Sequence, residues 1–214
     1  MSMLNGKGQT LMEVVFVMAL VIIGLLATLS LIMANILGVG VSENRVVASN
    51  LAREGIEIAR HIRDSNWLNC QGSCDWAEGL YLSAEDHTAV PAFYYDGLYG
   101  GDDSIWSLDF EADNFSDPAA RIYIDKHYID YWSTPLYYND NGARSETSQL
   151  TLYRRLITLD DICSDGAIKE ENQGACDSVP DVTKVGIRVI SEIRWQERGR
   201  EQSVVAEDWL YNWY

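Results

Sequence analysis

Residues 14–42 read VVFVMALVIIGLLATLSLIMANILGVGVS, a run of 29 positions without a charged side chain. About 20 apolar residues in an α-helix span the hydrocarbon core of a bilayer. The run is therefore long enough to cross a membrane with some tilt. It contains no proline. The four prolines of the chain stand at 91, 118, 135 and 180, so no proline interrupts a long helix through the first 90 residues.

At Glu43 the pattern changes from uniformly apolar to amphipathic. Val47, Leu51, Gly55, Ile58 and Ile62 recur at spacings of four, four, three and four, and Ala48, Ala52 and Ala59 widen the stripe. Arg45, Arg53, Glu54, Glu57, Arg60, Arg63 and Asp64 fill the opposite face. Arg53–Glu57 and Arg60–Asp64 are spaced for i,i+4 pairs, in the less favourable order. The helix is expected to end near Asp64-Ser65-Asn66. From Glu13 to Asn66 it would measure about 80 Å at 1.5 Å per residue.

The whole chain has 214 residues, 32 acids against 16 Lys and Arg, and a net charge of −16. Such an acid excess argues against direct nucleic-acid binding, which needs a basic face to neutralise phosphate. Disorder is excluded by 47% apolar residues with seven Trp and twelve Tyr. Lys7 is the single basic residue before the apolar run, and Glu43 the first acid after it. The positive-inside rule then keeps residues 1–8 cytoplasmic and exports the C-terminal part. In an exported chain, the four cysteines at 70, 74, 163 and 176 read as disulfides. Three connectivities are open, and local pairing, Cys70–Cys74 with Cys163–Cys176, is the simplest. Free thiols are the alternative. A zinc site fits less well, because the Cys70–Cys74 spacing is not C-x₂-C and no His pair lies near either cysteine pair.

The segment before the run carries a more specific signal. Lys7-Gly8-Gln9-Thr10-Leu11-Met12-Glu13-Val14 resembles the class III processing signal of type IV prepilins and pseudopilins. An ordinary secretory signal has its small residues after the apolar stretch; here Gly8 precedes it. The resemblance implies that a prepilin peptidase cuts between Gly8 and Gln9, removing residues 1–8 and leaving the apolar segment on the mature protein. It implies N-methylation of Gln9, and pairing of Glu13 with the N-terminal amine of a neighbouring subunit. A carboxylate at the edge of a membrane helix is costly, and such residues persist when they have a partner. Two departures stand out: the family commonly begins its mature chain with Phe, where this one has Gln9, and often places a bending Pro within the run. Methylation of Gln9 would block cyclisation of a free N-terminal Gln and preserve the charge that Glu13 needs. Gly24, Gly38 and Gly40 are the weak points of the run, each costing about 1 kcal/mol relative to Ala, or else sites of close helix approach. The stretch from Asn50 to Leu68 is also similar to a recurrent part of bacterial prepilin-type proteins.

The expected fold class is α+β. A leader at 1–8 precedes a long helix over 9–67, with 14–42 as transmembrane segment or filament core. Its amphipathic half packs on an antiparallel sheet in an exported head at 68–214. These 147 residues suffice for one core. Expected strands are Arg121–Ile124, Thr151–Thr158, Val185–Gln196 and Gln202–Ala206, with Glu197-Arg198-Gly199 turning a hairpin. The apolar end Asp208–Tyr214 is expected to dock on the body. Asp64 to Ala120 holds twelve acids and no Lys or Arg and is expected as exposed loop. Asp102-Asp103 lacks the spacing of a calcium loop, and Asn139-Asp140-Asn141-Gly142 reads as a turn. Asn114-Phe115-Ser116 matches the glycosylation sequon, weakly in a pilin-like chain. His61, His87 and His127 lie in unrelated segments, and no catalytic, phosphate-binding or metal motif is present. No enzymatic activity, metal or cofactor is expected.

The resemblance implies a structural subunit of a type IV pilus or similar filament, inserted as a single-pass inner-membrane precursor and then moved to the cell surface. Its partners would be copies of itself in a helical homo-oligomer, the prepilin peptidase, an inner-membrane assembly platform and an assembly ATPase. Motility and cell adhesion are functions of such filaments. A minor pilin or pseudopilin of a secretion or DNA-uptake machine is the first alternative. A membrane-anchored binding domain is the second; it predicts no cleavage at Gly8 and tolerance of Glu13→Ala.

Overall fold

The structure is a computed structural model. It describes residues 6–69, 75–81, 87–95, 104–110, 112, 114–125, 136–139, 148–170, 173 and 175–212. The chain divides into two compact units, Met1–Arg45 and Val46–Tyr214. One helix, α1 (Gly6–Leu68, 63 residues), contributes to both. The first unit contains only helix among its described residues, and the second is an α+β body.

Eight strands follow: β1 (Thr88–Tyr95), β2 (Ser104–Asp109), β3 (Arg121–Asp125), β4 (Leu136–Asn139), β5 (Ser148–Cys163), β6 (Ile168–Lys169), β7 (Lys184–Glu197) and β8 (Arg200–Tyr211). Among the described residues the strands pair antiparallel within one eight-stranded sheet. The 16-residue β5 organises it, pairing β7 along most of its length and also β3, β1 and β6. The β7–β8 hairpin closes through Arg198 and Gly199, both at positive φ (51° and 73°), between the paired Glu197 and Arg200. That is a two-residue turn whose twist matches the strands it joins. It falls at the expected turn.

The amphipathic stripe of α1 packs on the sheet. Ala48, Leu51 and Ala52 join Ile122, Tyr153, Ile193 and Trp195 in one cluster. Ile56, Ile58 and Ala59 join Ile157, Leu159, Ile187, Val189 and Leu210 in another. Small residues bring the helix close. A Cβ on Gly55 would stand 2.4 Å from Ser191 Oγ and 3.3 Å from Ile157 Cδ1. Ser191 and Ile157 are cross-strand neighbours, so the helix crosses the centre of the β5–β7 pair at Gly55. A third cluster, Val90, Ala112, Ala119, Ala120 and Leu156, lies apart from the helix residues.

Several sequence expectations meet a different arrangement. The acidic stretch 64–120 is not simply loop: β1 and β2 lie in it, Ala89, Val90 and Ala92 are fully buried, and Trp76 and Leu80 belong to the core. Its acids had masked short apolar runs. Asn139 is not a turn residue but a buried member of β4, donating to the carbonyls of Ala119 and Ala120 at 3.2 Å. Residues 140–142 lie outside the described residues. The last strand extends beyond Ala206 to Tyr211, and in this way the expected segment docks as far as it is described: Leu210 is buried, and Asp208 receives a hydrogen bond from Arg60 of α1 at 2.6 Å, while residues 213–214 lie outside the described residues.

The disulfide Cys163–Cys176 is formed, with Cα atoms 5.5 Å apart. It joins the end of β5 to a short 3₁₀ turn at Cys176–Ser178. Cys70 and Cys74 lie outside the described residues.

Candidate membrane and assembly segment

The apolar segment of α1 is the candidate functional site, and among the described residues of its unit its side chains are uncovered. From Leu11 to Val41 every large apolar side chain is exposed: Met12 is 78%, Phe16 66% and Val39 66% accessible. Exposed apolar surface on this scale marks a membrane or protein contact. Among the described residues, α1 is the one helix long and apolar enough to cross a membrane. The backbone inside it is regular. Thr28 Oγ1 returns a hydrogen bond to the Gly24 carbonyl at 2.6 Å, which lets a hydroxyl sit in an apolar helix without an orphaned proton. Gly24, Gly38 and Gly40 each have open space where a Cβ would be.

Gly8 and Gln9 lie in the first turns of α1. Their side-chain surroundings are outside the described set. Glu13 follows Gln9 by four residues and therefore stands on the same helix face one turn on. Its carboxylate is exposed and meets no cation among the described residues. A partner for it would have to come from outside the described side chains.

The head anchors the other part of the helix with polar ties that sequence reasoning missed. Arg155 is fully buried on β5. Its Nε donates to Asn139 Oδ1 at 3.0 Å, and its Nη1 donates to Glu54 Oε2 at 3.0 Å and to the Leu51 carbonyl at 3.3 Å. Burial pushes the guanidinium below its usual pKa, and Glu54 opposes that shift. Its Nη2 has no hydrogen-bond partner. An arginine inside an apolar alternating strand was the available signal. Arg188 makes two hydrogen bonds to the buried Asp160, at 3.0 and 2.6 Å, and a third to Glu170; the Asp160 bond is the main cause holding the Arg188 guanidinium above its usual value. At the helix end, Asn66 Nδ2 donates to the carbonyls of Trp76 and Glu78, at 3.1 and 2.8 Å.

The remaining candidates are scattered. His61 is exposed on α1, and His87 is buried, with Nδ1 2.7 Å from the Leu159 carbonyl and 3.9 Å from Asp160 Oδ1. His127 and Asp102-Asp103 lie outside the described residues. Asn114 is exposed and its Oδ1 accepts from the Ser116 amide at 2.9 Å, a local turn. No group of three or more His, Cys, Asp or Glu is placed to hold a metal among the described residues.

The structure therefore joins an exposed, membrane-length apolar helix to a sheet-packed amphipathic one. No family model, no curated protein and no solved structure matches the chain.

Proposed function

We propose that this protein is a structural subunit of a type IV pilus-like filament. In this reading it is made as a single-pass membrane precursor, cut after Gly8, methylated at Gln9, and moved from the bilayer into a helical assembly. One observation carries the reading: an uncharged, wholly exposed helical segment, preceded by Lys7-Gly8 and entered at Glu13, continues as the helix that packs on the head. In the membrane the segment is covered by lipid; in the filament it would be covered by the same segment of other copies. Lipid is already apolar, so the exchange gains little from hydrophobicity. Helix packing and the pairing of Glu13 with the Gln9 amine of a neighbour supply the preference. The prepilin peptidase, assembly platform and assembly ATPase would be separate proteins.

The test is Glu13→Ala in the full-length chain, expressed in cells that assemble the filament. Membrane insertion should be unchanged, because the substitution removes a charge from the apolar boundary. Sheared surface filaments should fall at least tenfold. Normal filament yield from Glu13→Ala would refute the pairing while keeping the filament, whereas absence of the unchanged chain from sheared filaments would favour the membrane-anchored head.

A further inference from the structure

Three arginines stand side by side across adjacent strands of the head. Arg121 of β3 is paired in register with Arg154 of β5, and Arg154 with Arg194 of β7. On β5 the neighbours Tyr153 and Arg155 face α1. Arg154 therefore faces the other side of the sheet. All three arginines line one open groove of about 750 Å³.

This row is costly as it stands, since like charges directly opposite one another destabilise a sheet. Among the described residues it is only partly compensated. Arg194 pairs with Glu192 at 2.7 Å, lies 3.6 Å from Glu201, and stacks its guanidinium 4.0 Å from the Phe115 ring centre. Arg154 donates to the Phe115 carbonyl. Arg121 makes no side-chain hydrogen bond or ion pair with a described residue. Beside the arginines the groove carries exposed apolar surface, Leu150 at 56% and Leu152 at 49%. Its best occupant is therefore an extended segment with several carboxylates and large apolar side chains.

The chain contains a segment of that composition. The connection from β1 to β2 reads Asp96-Gly97-Leu98-Tyr99-Gly100-Gly101-Asp102-Asp103, preceded by Tyr94-Tyr95, with three aspartates and no Lys or Arg. We propose that the arginine groove receives this β1–β2 connection from a second copy of the chain. Three carboxylates then meet three guanidinium groups, and the tyrosines lie along Leu150 and Leu152. In a protein of net charge −16, a concentrated positive row offers one copy an attractive contact on another, where most of their surfaces repel. The proposal rests on the filament reading for the supply of neighbouring copies.

The direct test uses the full-length chain in detergent and a fluorescent peptide of residues 94–104. The wild-type chain should bind the peptide, less tightly as salt rises. A peptide with the three aspartates changed to asparagine should bind at least tenfold more weakly. Arg121→Gln with Arg154→Gln should cause a similar loss without lowering the thermal midpoint, since it removes like-charge repulsion. Equal binding by the double variant, or by the asparagine peptide, would overturn the proposal. Normal filament assembly by the double variant would also overturn it while leaving the filament reading intact. Peptide binding by a protein that never forms filaments would support the groove and refute the filament reading.

Discussion

Gly24 and Gly55 occupy one helix and have opposite surroundings. A Cβ at Gly24 would meet nothing within 4 Å, whereas at Gly55 it would collide with Ser191. The contrast extends to their neighbours. Between Leu11 and Val41 the helix turns apolar side chains outward on every face, while between Ala48 and Ala59 it buries one stripe and leaves the rest to water. A helix apolar all round needs an apolar environment supplied from outside; an amphipathic one finds it in its own chain. Continuous secondary structure thus spans two units with different surface chemistry.

The largest effect that would sharpen this comparison is Gly55→Leu. It forces a side chain into the closest helix–sheet contact and should cost about 3 kcal/mol, the upper range for overpacking. A fall in the thermal midpoint of the full chain in detergent measures it. An unchanged midpoint would mean that the helix does not press on Ser191.

Replacing both Cys163 and Cys176 by serine frees a loop of 13 residues' separation. The expected loss is also large, about 2–3 kcal/mol by loop entropy. Reducing agent should reproduce it in the native chain and have no effect of that size in the double variant. The change should fall on the head and leave membrane insertion untouched.

Ser191→Ala should act in the opposite direction. The Ser191 hydroxyl is buried without a hydrogen-bond partner, and its removal should stabilise by about 1 kcal/mol. In combination with Gly55→Ala it should recover part of the cost of the added Cβ. Additive effects in a double-mutant cycle would show that the two sites do not touch.

Gly24→Leu is the smallest expected change. On the head's unfolding it should register within about 0.5 kcal/mol, as for any residue without contacts. The same substitution will matter in an assembled filament if Gly24 lies where helices approach closely. A large loss of head stability would break the distinction between the two units.

The helix was legible because its signals are local: a proline-free uncharged run, then a stripe at spacings of four and three. The turn at Arg198-Gly199 and the long strands around Thr151–Thr158 and Val185–Gln196 were legible for the same reason. The ends of β5 and β8 were not, because cross-strand pairing extends strands past the residues that alternate. β1 and β2 were hidden under acids whose charges say nothing about the small buried residues between them. Arg155 was missed because its partners, Glu54 and Asn139, lie far from it in sequence and converge only through the sheet. For the candidate site, the segment Lys7–Val14 was readable as a motif, but a motif for cleavage and assembly concerns other molecules, and a single chain shows only that its surface is bare.

Mass spectrometry of the N-terminus of protein taken from the native cell surface tests the central claim most directly. The filament account predicts a chain beginning at Gln9 and carrying one added methyl group, with residues 1–8 gone. A surface or membrane chain that still begins at Met1 would contradict it, and the apolar segment would then be a plain anchor for the head.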